Sequence, residues 1–227
     1  ATFQSFYETA RREAVGAWDL GRVRFTHLDE YRGWASDRPG SMAHELREHL
    51  FDRLRRGSAA FVPVGAASGD PSDLIAAHEE ALRELGRLDL QLLGMGRNGH
   101  IAFNEPPEML QDWTVESFAR LPTRVLDLTR ETRTINSVTV GGEISIVPGR
   151  AITVGMAEIL GSRSLRFYCN RPWQSAVIRR LLHGPVTAAS RPYHAPGREP
   201  PSVQFAPLRS IHCAGMPRAW ALARSWP

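Results

Sequence analysis

The sequence predicts an α/β fold with a mostly parallel open sheet and helices on both faces. Short apolar, β-branched runs alternate along the chain with segments whose apolar residues recur at helical spacing, the pattern of strands joined by covering helices. One of these runs, Leu-Asp-Leu-Gln-Leu-Leu at 88–93, reads as a buried strand. It breaks into a glycine-spaced turn, Gly94-Met95-Gly96-Arg97-Asn98-Gly99-His100, with the carboxylate of Glu105 following. Backbone amides, an imidazole and a carboxylate are thereby gathered at a strand end, where an open α/β sheet usually places its ligand.

The elements follow in order. Phe3, Phe6, Tyr7, Ala10, Ala14 and Ala17 recur at helical spacing and predict a helix over 3–18. Residues 23–28 alternate, are β-branched and aromatic, and read as a strand with Asp29-Glu30-Tyr31-Arg32-Gly33-Trp34 at its end. Ser41 suits the N-cap of a helix over 41–54, with Glu45 in its first turns. Residues 60–64 form a short strand, and Ser68-Gly69-Asp70-Pro71-Ser72 turns into a helix over 71–85. Beyond the histidine loop come strands at 125–128 and 145–154, a helical turn at 156–160 and a strand at 165–169. A helix over 173–182 is closed by His183-Gly184, and late strand material lies at 203–213 before a helical tail from Pro217. The four prolines of 190–202 mark a surface loop and not a domain boundary. No internal repeat is present, so the chain reads as one Rossmann-like domain over 1–227.

Composition narrows the functional classes. With 42% hydrophobic and 23% charged residues in 227, this is an ordinary globular composition. No apolar run approaches the ~20 residues that span a bilayer, and the opening Ala-Thr-Phe-Gln-Ser has no basic segment leading into an apolar core. The expectation is a cytoplasmic protein with no membrane contact. The net charge of +4 invites a nucleic-acid reading, but the cations are scattered and not clustered on a stripe with interleaved aromatics, so no nucleic-acid partner is expected. All 28 basic residues are arginine, so no lysine is available as Schiff base, general base or phosphate clamp. Cys169 and Cys213 lie in apolar runs and read as buried free thiols, not as a disulfide or metal pair.

The histidine loop carries the chemistry. Its glycines allow close backbone approach and positive φ, and histidine changes protonation most easily near neutral pH. Taken singly, His100 fits a hydrogen-bonded loop histidine, Asp29 a turn or cap residue, and Glu105 the end of a loop before Pro106.

Four collinear blocks give a sharper reading. Gly99-His100-Ile101-Ala102-Phe103-Asn104-Glu105-Pro106 resembles the signature of glucosamine-6-phosphate deaminases, also called isomerases. Phe25-Thr26-His27-Leu28-Asp29-Glu30-Tyr31 resembles that family's strand ending in Asp-Glu-Tyr. Thr129-Arg130-Glu131-Thr132-Arg133-Thr134-Ile135-Asn136-Ser137 resembles its Thr-Arg-x-x-Asn-Ser segment, and Val147-Pro148-Gly149-Arg150-Ala151-Ile152-Thr153-Val154-Gly155 its Val-Pro-x-x-Ala-Leu-Thr-Val-Gly strand. The resemblance implies an amino-sugar phosphate isomerase or deaminase that releases ammonia and a ketose 6-phosphate, with no metal or other cofactor. By the same resemblance His100 with Glu105 opens the sugar ring, Asn98 orients His100, and Asp29 moves a proton between adjacent carbons. Thr2, Glu30, Gly96, Gly99 and Arg133 are the implied substrate-binding residues, Arg133 as a phosphate contact. The sequence departs from the family at Asn98, where aspartate is usual, and at Pro172-Trp173-Gln174, where the family has a lysine. The family's first strand and its phosphate loop would lie before Ala1, with Ala1-Thr2 as the loop's remnant, so the sheet of this chain is expected to lack that strand. Two alternatives stay open: a 6-phosphogluconolactonase-like hydrolase and a catalytically idle sugar-phosphate-binding protein of the same fold. The small-molecule partner is a sugar phosphate, and homo-oligomerisation is left open.

Overall fold

The computed structural model describes residues 21–52, 61–65, 68–106, 114–169 and 171–183. The expected first helix, Thr2, the late strand at 203–213 with Cys213, and the helical tail lie outside the described residues. Seven strands are described: β1 (Phe25–Thr26), β2 (Asp29–Tyr31), β3 (Phe61–Val62), β4 (Leu90–Leu93), β5 (Arg124–Asp127), β6 (Arg150–Thr153) and β7 (Ser164–Phe167). β1 pairs with β3 and β4 with β7, both in parallel. β2, β6 and β5 form an antiparallel ladder with β6 central. The fold is α/β. The antiparallel ladder accompanies the parallel pairs, and residue alternation alone does not reveal it, because both pairings have the same period of two.

The helices are α1 (Met42–Leu46), α2 (Pro71–Glu84), α3 (Val115–Ala119), α4 (Arg130–Ser137), α5 (Met156–Gly161) and α6 (Ser175–His183). Several start where side-chain chemistry starts them. Ser41 accepts the His44 N–H at 3.1 Å, and Asp70 accepts the Ser72 N–H at 2.8 Å with Pro71 entering the first turn of α2. Beyond Leu46 the expected helix widens into a π-type turn over Arg47–Phe51, which buries Leu50 and Phe51 against Phe25 and Phe61. Sequence periodicity missed α3 and α4, which are polar and short. Their signal is local: Thr114 and Thr129 each cap the following helix through the hydroxyl.

Two other expectations are corrected. Residues 145–149 are not strand: a 3-10 turn occupies Ile144–Ile146, Pro148 has no N–H to give a ladder, and β6 begins at Arg150. The strand expected over 23–28 is short, and the chain resumes pairing one step later, so that Asp29-Glu30-Tyr31 lie within β2.

The main core gathers Val64, Leu93, Met95, Ile101, Phe118, Ile152, Val154, Met156, Leu165, Phe167 and Val177. A second cluster, Tyr31, Trp34, Phe103, Leu128, Val147 and Ala151, lies on the other side of β6. The histidine loop contributes Ile101 to one cluster and Phe103 to the other. Each such burial stabilises by roughly 1.5–3 kcal/mol. The loop is thus anchored from two sides, and its polar residues are held by apolar neighbours.

Candidate active site

The loop after β4 closes on itself: the Gly99 N–H donates to the Gly96 carbonyl at 3.1 Å, and the Gly96 N–H to the His100 carbonyl at 2.9 Å. Gly99 sits at φ +96°, a left-handed conformation that suits glycine. Gly96 is required for a different reason, because a Cβ there would overlap the His100 imidazole. Asn98 fixes that ring. Its Oδ1 accepts the backbone N–H of His100 at 3.2 Å and lies 2.7 Å from Nδ1 of the same residue. An atom that accepts a backbone N–H is the amide oxygen, so Nδ1 carries the proton in the neutral ring and Nε2 keeps its lone pair. Burial pushes the His100 pKa below its ordinary value, partly offset by the charges of Glu105 and Glu131. The imidazole is therefore neutral at neutral pH, with a basic nitrogen available.

The residues after His100 hold the loop in place. Ala102 takes φ +52°, the one non-glycine positive φ among the described residues. Such backbone strain persists only where neighbours enforce it, and here they do. The Phe103 N–H donates to Thr153 Oγ1 at 3.1 Å, and Asn104 Nδ2 donates to the Val154 carbonyl at 2.8 Å and the Ile101 carbonyl at 3.2 Å. Asn104 Oδ1 accepts from Arg124 Nη1 at 2.7 Å. Asn104 is thus a buried clamp between the loop and the end of β6. The half-buried Glu105 carboxylate follows, its Oε1 accepting the Thr129 hydroxyl at 3.0 Å and also the Thr132 hydroxyl.

Asp29 reaches the same neighbourhood through the sheet. In the β2–β6 register it stands opposite Thr153, the residue that holds Phe103. Burial, with the charge of Glu30 as a second cause, raises the Asp29 carboxyl to about 7. A carboxyl with that proton affinity can both give and take a proton near neutral pH.

The remaining sequence-named residues are placed as follows. Glu30 is buried, and its carboxylate accepts the N–H groups of Tyr31 at 2.9 Å, Met42 at 3.1 Å and Ala43 at 3.0 Å, which caps α1. Arg133 gives its Nε to the Val147 carbonyl and its Nη2 to the Ile144 carbonyl, both at 3.1 Å, and so pins the turn before β6. The loop therefore carries Gly96, Asn98, Gly99, His100 and Glu105, and Asp29 lies on the neighbouring strand β2, opposite Thr153 of β6. Glu30 and Arg133 are bound to backbone, and Thr2 lies outside the described residues. Sequence reasoning did not single out Asn104, Thr129, Thr132 or Thr153. Each lies inside a motif block, but no spacing rule says that their side chains converge. Cys169 is a free, half-buried thiol that burial pushes up to about 11, which leaves it unreactive near neutral pH. No group of three or more His, Cys, Asp or Glu side chains is arranged to hold a metal ion among the described residues, and no helix among them is long and apolar enough to cross a membrane.

Comparison with known proteins shows the family and the fold. The sequence profile described as glucosamine-6-phosphate isomerases/6-phosphogluconolactonase matches residues 1–125. A glucosamine-6-phosphate deaminase of Streptomyces avermitilis is 35% identical over 173 residues, covering 76% of this chain and 63% of the relative. One of Geobacillus sp. strain WCH70 is 36% identical over 187 residues, covering 82% of this chain and 69% of the relative. The chain thus spans about two-thirds of the length of such relatives, slightly less for the Streptomyces protein. Among solved structures, a monomeric glucosamine-6-phosphate deaminase superposes with a TM-score of 0.72 at 26% identity, over 82% of this chain and 74% of that protein. A 6-phosphogluconolactonase from Thermotoga maritima, 18% identical, shares the fold with a TM-score of 0.60 over 83% of this chain and 75% of its own.

Proposed function

We propose that this chain, which belongs to the glucosamine-6-phosphate isomerases/6-phosphogluconolactonase family, converts a hexosamine 6-phosphate and water to a ketose 6-phosphate and ammonia. The observation that carries the reading is the His100 ring held by Asn98 at 2.7 Å, so that a neutral imidazole keeps Nε2 as a base. The reaction makes three demands. Ring opening takes a proton from the anomeric hydroxyl and gives one to the ring oxygen, and His100 Nε2 suits both transfers. Isomerisation moves a proton from one carbon to its neighbour, and Asp29, raised to about 7, suits a base that returns what it takes. Loss of the amine needs a proton on nitrogen and water added at the carbon it leaves. The neutral ring and the part-protonated carboxyl divide these roles because their environments push their proton affinities in opposite directions.

Asn98 holds the ring as an aspartate would, but adds no charge and takes no proton. His100 therefore stays neutral to lower pH than a carboxylate partner would allow. The phosphate contact is the part of the reading that rests on the resemblance, through Arg133 and Thr2. The site is expected to need no cofactor, and the whole chain to act as one domain in the cytoplasm.

The test is turnover. The protein is incubated with glucosamine-, galactosamine- and N-acetylated hexosamine 6-phosphates, and ammonia and ketose are measured. Stoichiometric release of both, lost by at least 100-fold in His100→Ala, is the expected result. Hydrolysis of a sugar lactone alone would replace the reading with a lactonase, and thermal stabilisation by ligand without turnover would replace it with a binding protein.

A further inference from the structure

The first turn of α4 meets the histidine loop at two places. Thr129, the N-cap of α4, and Thr132, one turn in, both donate their hydroxyls to Glu105 Oε1. Beside them Arg97 of the loop lies 3.7 Å from Glu131, an ion pair between the two segments. A glutamate carboxylate on a half-buried loop turns freely unless its oxygens are held. Two hydroxyls on one oxygen fix its position and leave Oε2 without a threonine contact. Thr132 is only 5% exposed, and its hydroxyl has Glu105 as its acceptor. A buried hydroxyl needs such a partner.

We propose that Thr129 and Thr132 are positioning residues for the reaction, fixing the Glu105 carboxylate of the histidine loop from the first turn of α4. Neither touches the reacting atoms in this role. They act through Glu105, whose negative charge favours the protonated imidazole. A helix start that moves away from the loop therefore weakens the base it serves, so α4 and the loop work as one unit. The inference rests on the amino-sugar phosphate reading for its kinetic consequence, but its electrostatic consequence stands without substrate.

The experiment compares Thr132→Val, which keeps the shape and removes the hydroxyl, with Thr132→Ser, which keeps the hydroxyl. The His100 ring proton is titrated by NMR in the full chain and assigned by its loss in His100→Gln. In Thr132→Val the midpoint is expected to move to lower pH by roughly 0.5. In the same variant kcat is expected to fall about tenfold with KM changed less than about twofold, and Thr132→Ser is expected to restore both. An unchanged midpoint in Thr132→Val overturns the proposal, as does a Thr132→Ser variant that behaves like it. If the midpoint moves as expected but no hexosamine phosphate is turned over by the parent protein, the positioning role stands and the proposed reaction fails.

Discussion

Asp29 is a carboxyl whose usefulness and cost have the same origin. Burial beside Glu30 raises it from an ordinary 3.8 to about 7, so that it exchanges protons at neutral pH. A carboxyl raised in the folded state contributes stability below its unfolded value, and that stability is lost as pH rises through the folded value. The protein therefore loses stability on this account between about 4 and 7. Asp29→Asn, which cannot ionise, is expected to raise Tm at pH 8 and to raise it less at pH 5, while abolishing turnover. Scanning calorimetry at the two pH values checks this, and an equal effect at both would show that Asp29 is not held protonated by its surroundings. Gly96 is the complementary case at this scale. Its missing Cβ makes the space that the His100 ring fills.

At the scale of elements, the loop between β4 and α3 is built to withstand strain. Ala102 holds a left-handed backbone, and Asn104 holds Ala102's neighbours by reaching the carbonyls of Ile101 and Val154 while receiving Arg124. Asn104→Ala removes these side-chain bonds, leaving the Ile101 carbonyl only the backbone N–H of residue 104 and the Val154 carbonyl only the longer bond from the Thr153 hydroxyl among the described residues. The expected cost is about 1–3 kcal/mol in a urea melt, together with a loss of kcat of about 100-fold from a displaced imidazole. A variant that melts like the parent protein would show that the loop is held by Ile101 and Phe103 alone. The caps of α3 and α4 belong to this scale as well. Thr114 and Thr129 define helices whose apolar periodicity is too weak to announce them.

At the scale of the molecule, global stability depends on histidines that the reaction does not use. His27 is buried, accepts the Val64 N–H through Nε2 at 2.8 Å, and has its Nδ1 buried without a hydrogen-bonding partner among the described residues. Burial, with His78 beside it, lowers its pKa from 6.5 to about 3. The unfolded chain binds that proton more readily, so stability is full above about 6.5 and falls as pH drops toward 3. Asp29 acts in the opposite sense over the same range, so the His27 contribution is read in the Asp29→Asn background. There urea midpoints are expected to decline from pH 7.5 to pH 5, and adding His27→Gln is expected to lower stability at pH 7.5 while making that decline shallower. An unchanged slope in the variant would remove His27 as a source of acid sensitivity.

The α/β class, the histidine loop and its neighbouring motif blocks were legible in the sequence, because strand alternation, glycine spacing and caps are local properties. So were Ser41 and Asp70 as helix starts, since each cap bonds within three residues of itself. The antiparallel seat of β6 was not legible, nor that Thr153 stands between Asp29 and Phe103. The sequence also could not tell that Glu30 turns to α1, that Arg133 turns to the carbonyls of 144 and 147, or that Thr129 and Thr132 converge on Glu105. The hydrogen-bonded partners lie from 11 to 50 residues apart along the chain, and Asp29 and Thr153 lie farther apart still. A side chain's role there is decided by which backbone or carboxylate the folded sheet brings within hydrogen-bonding reach. Residue types and spacing determined what chemistry this chain can hold, and the tertiary structure decided which side chains are free to perform it and which are bound to backbone.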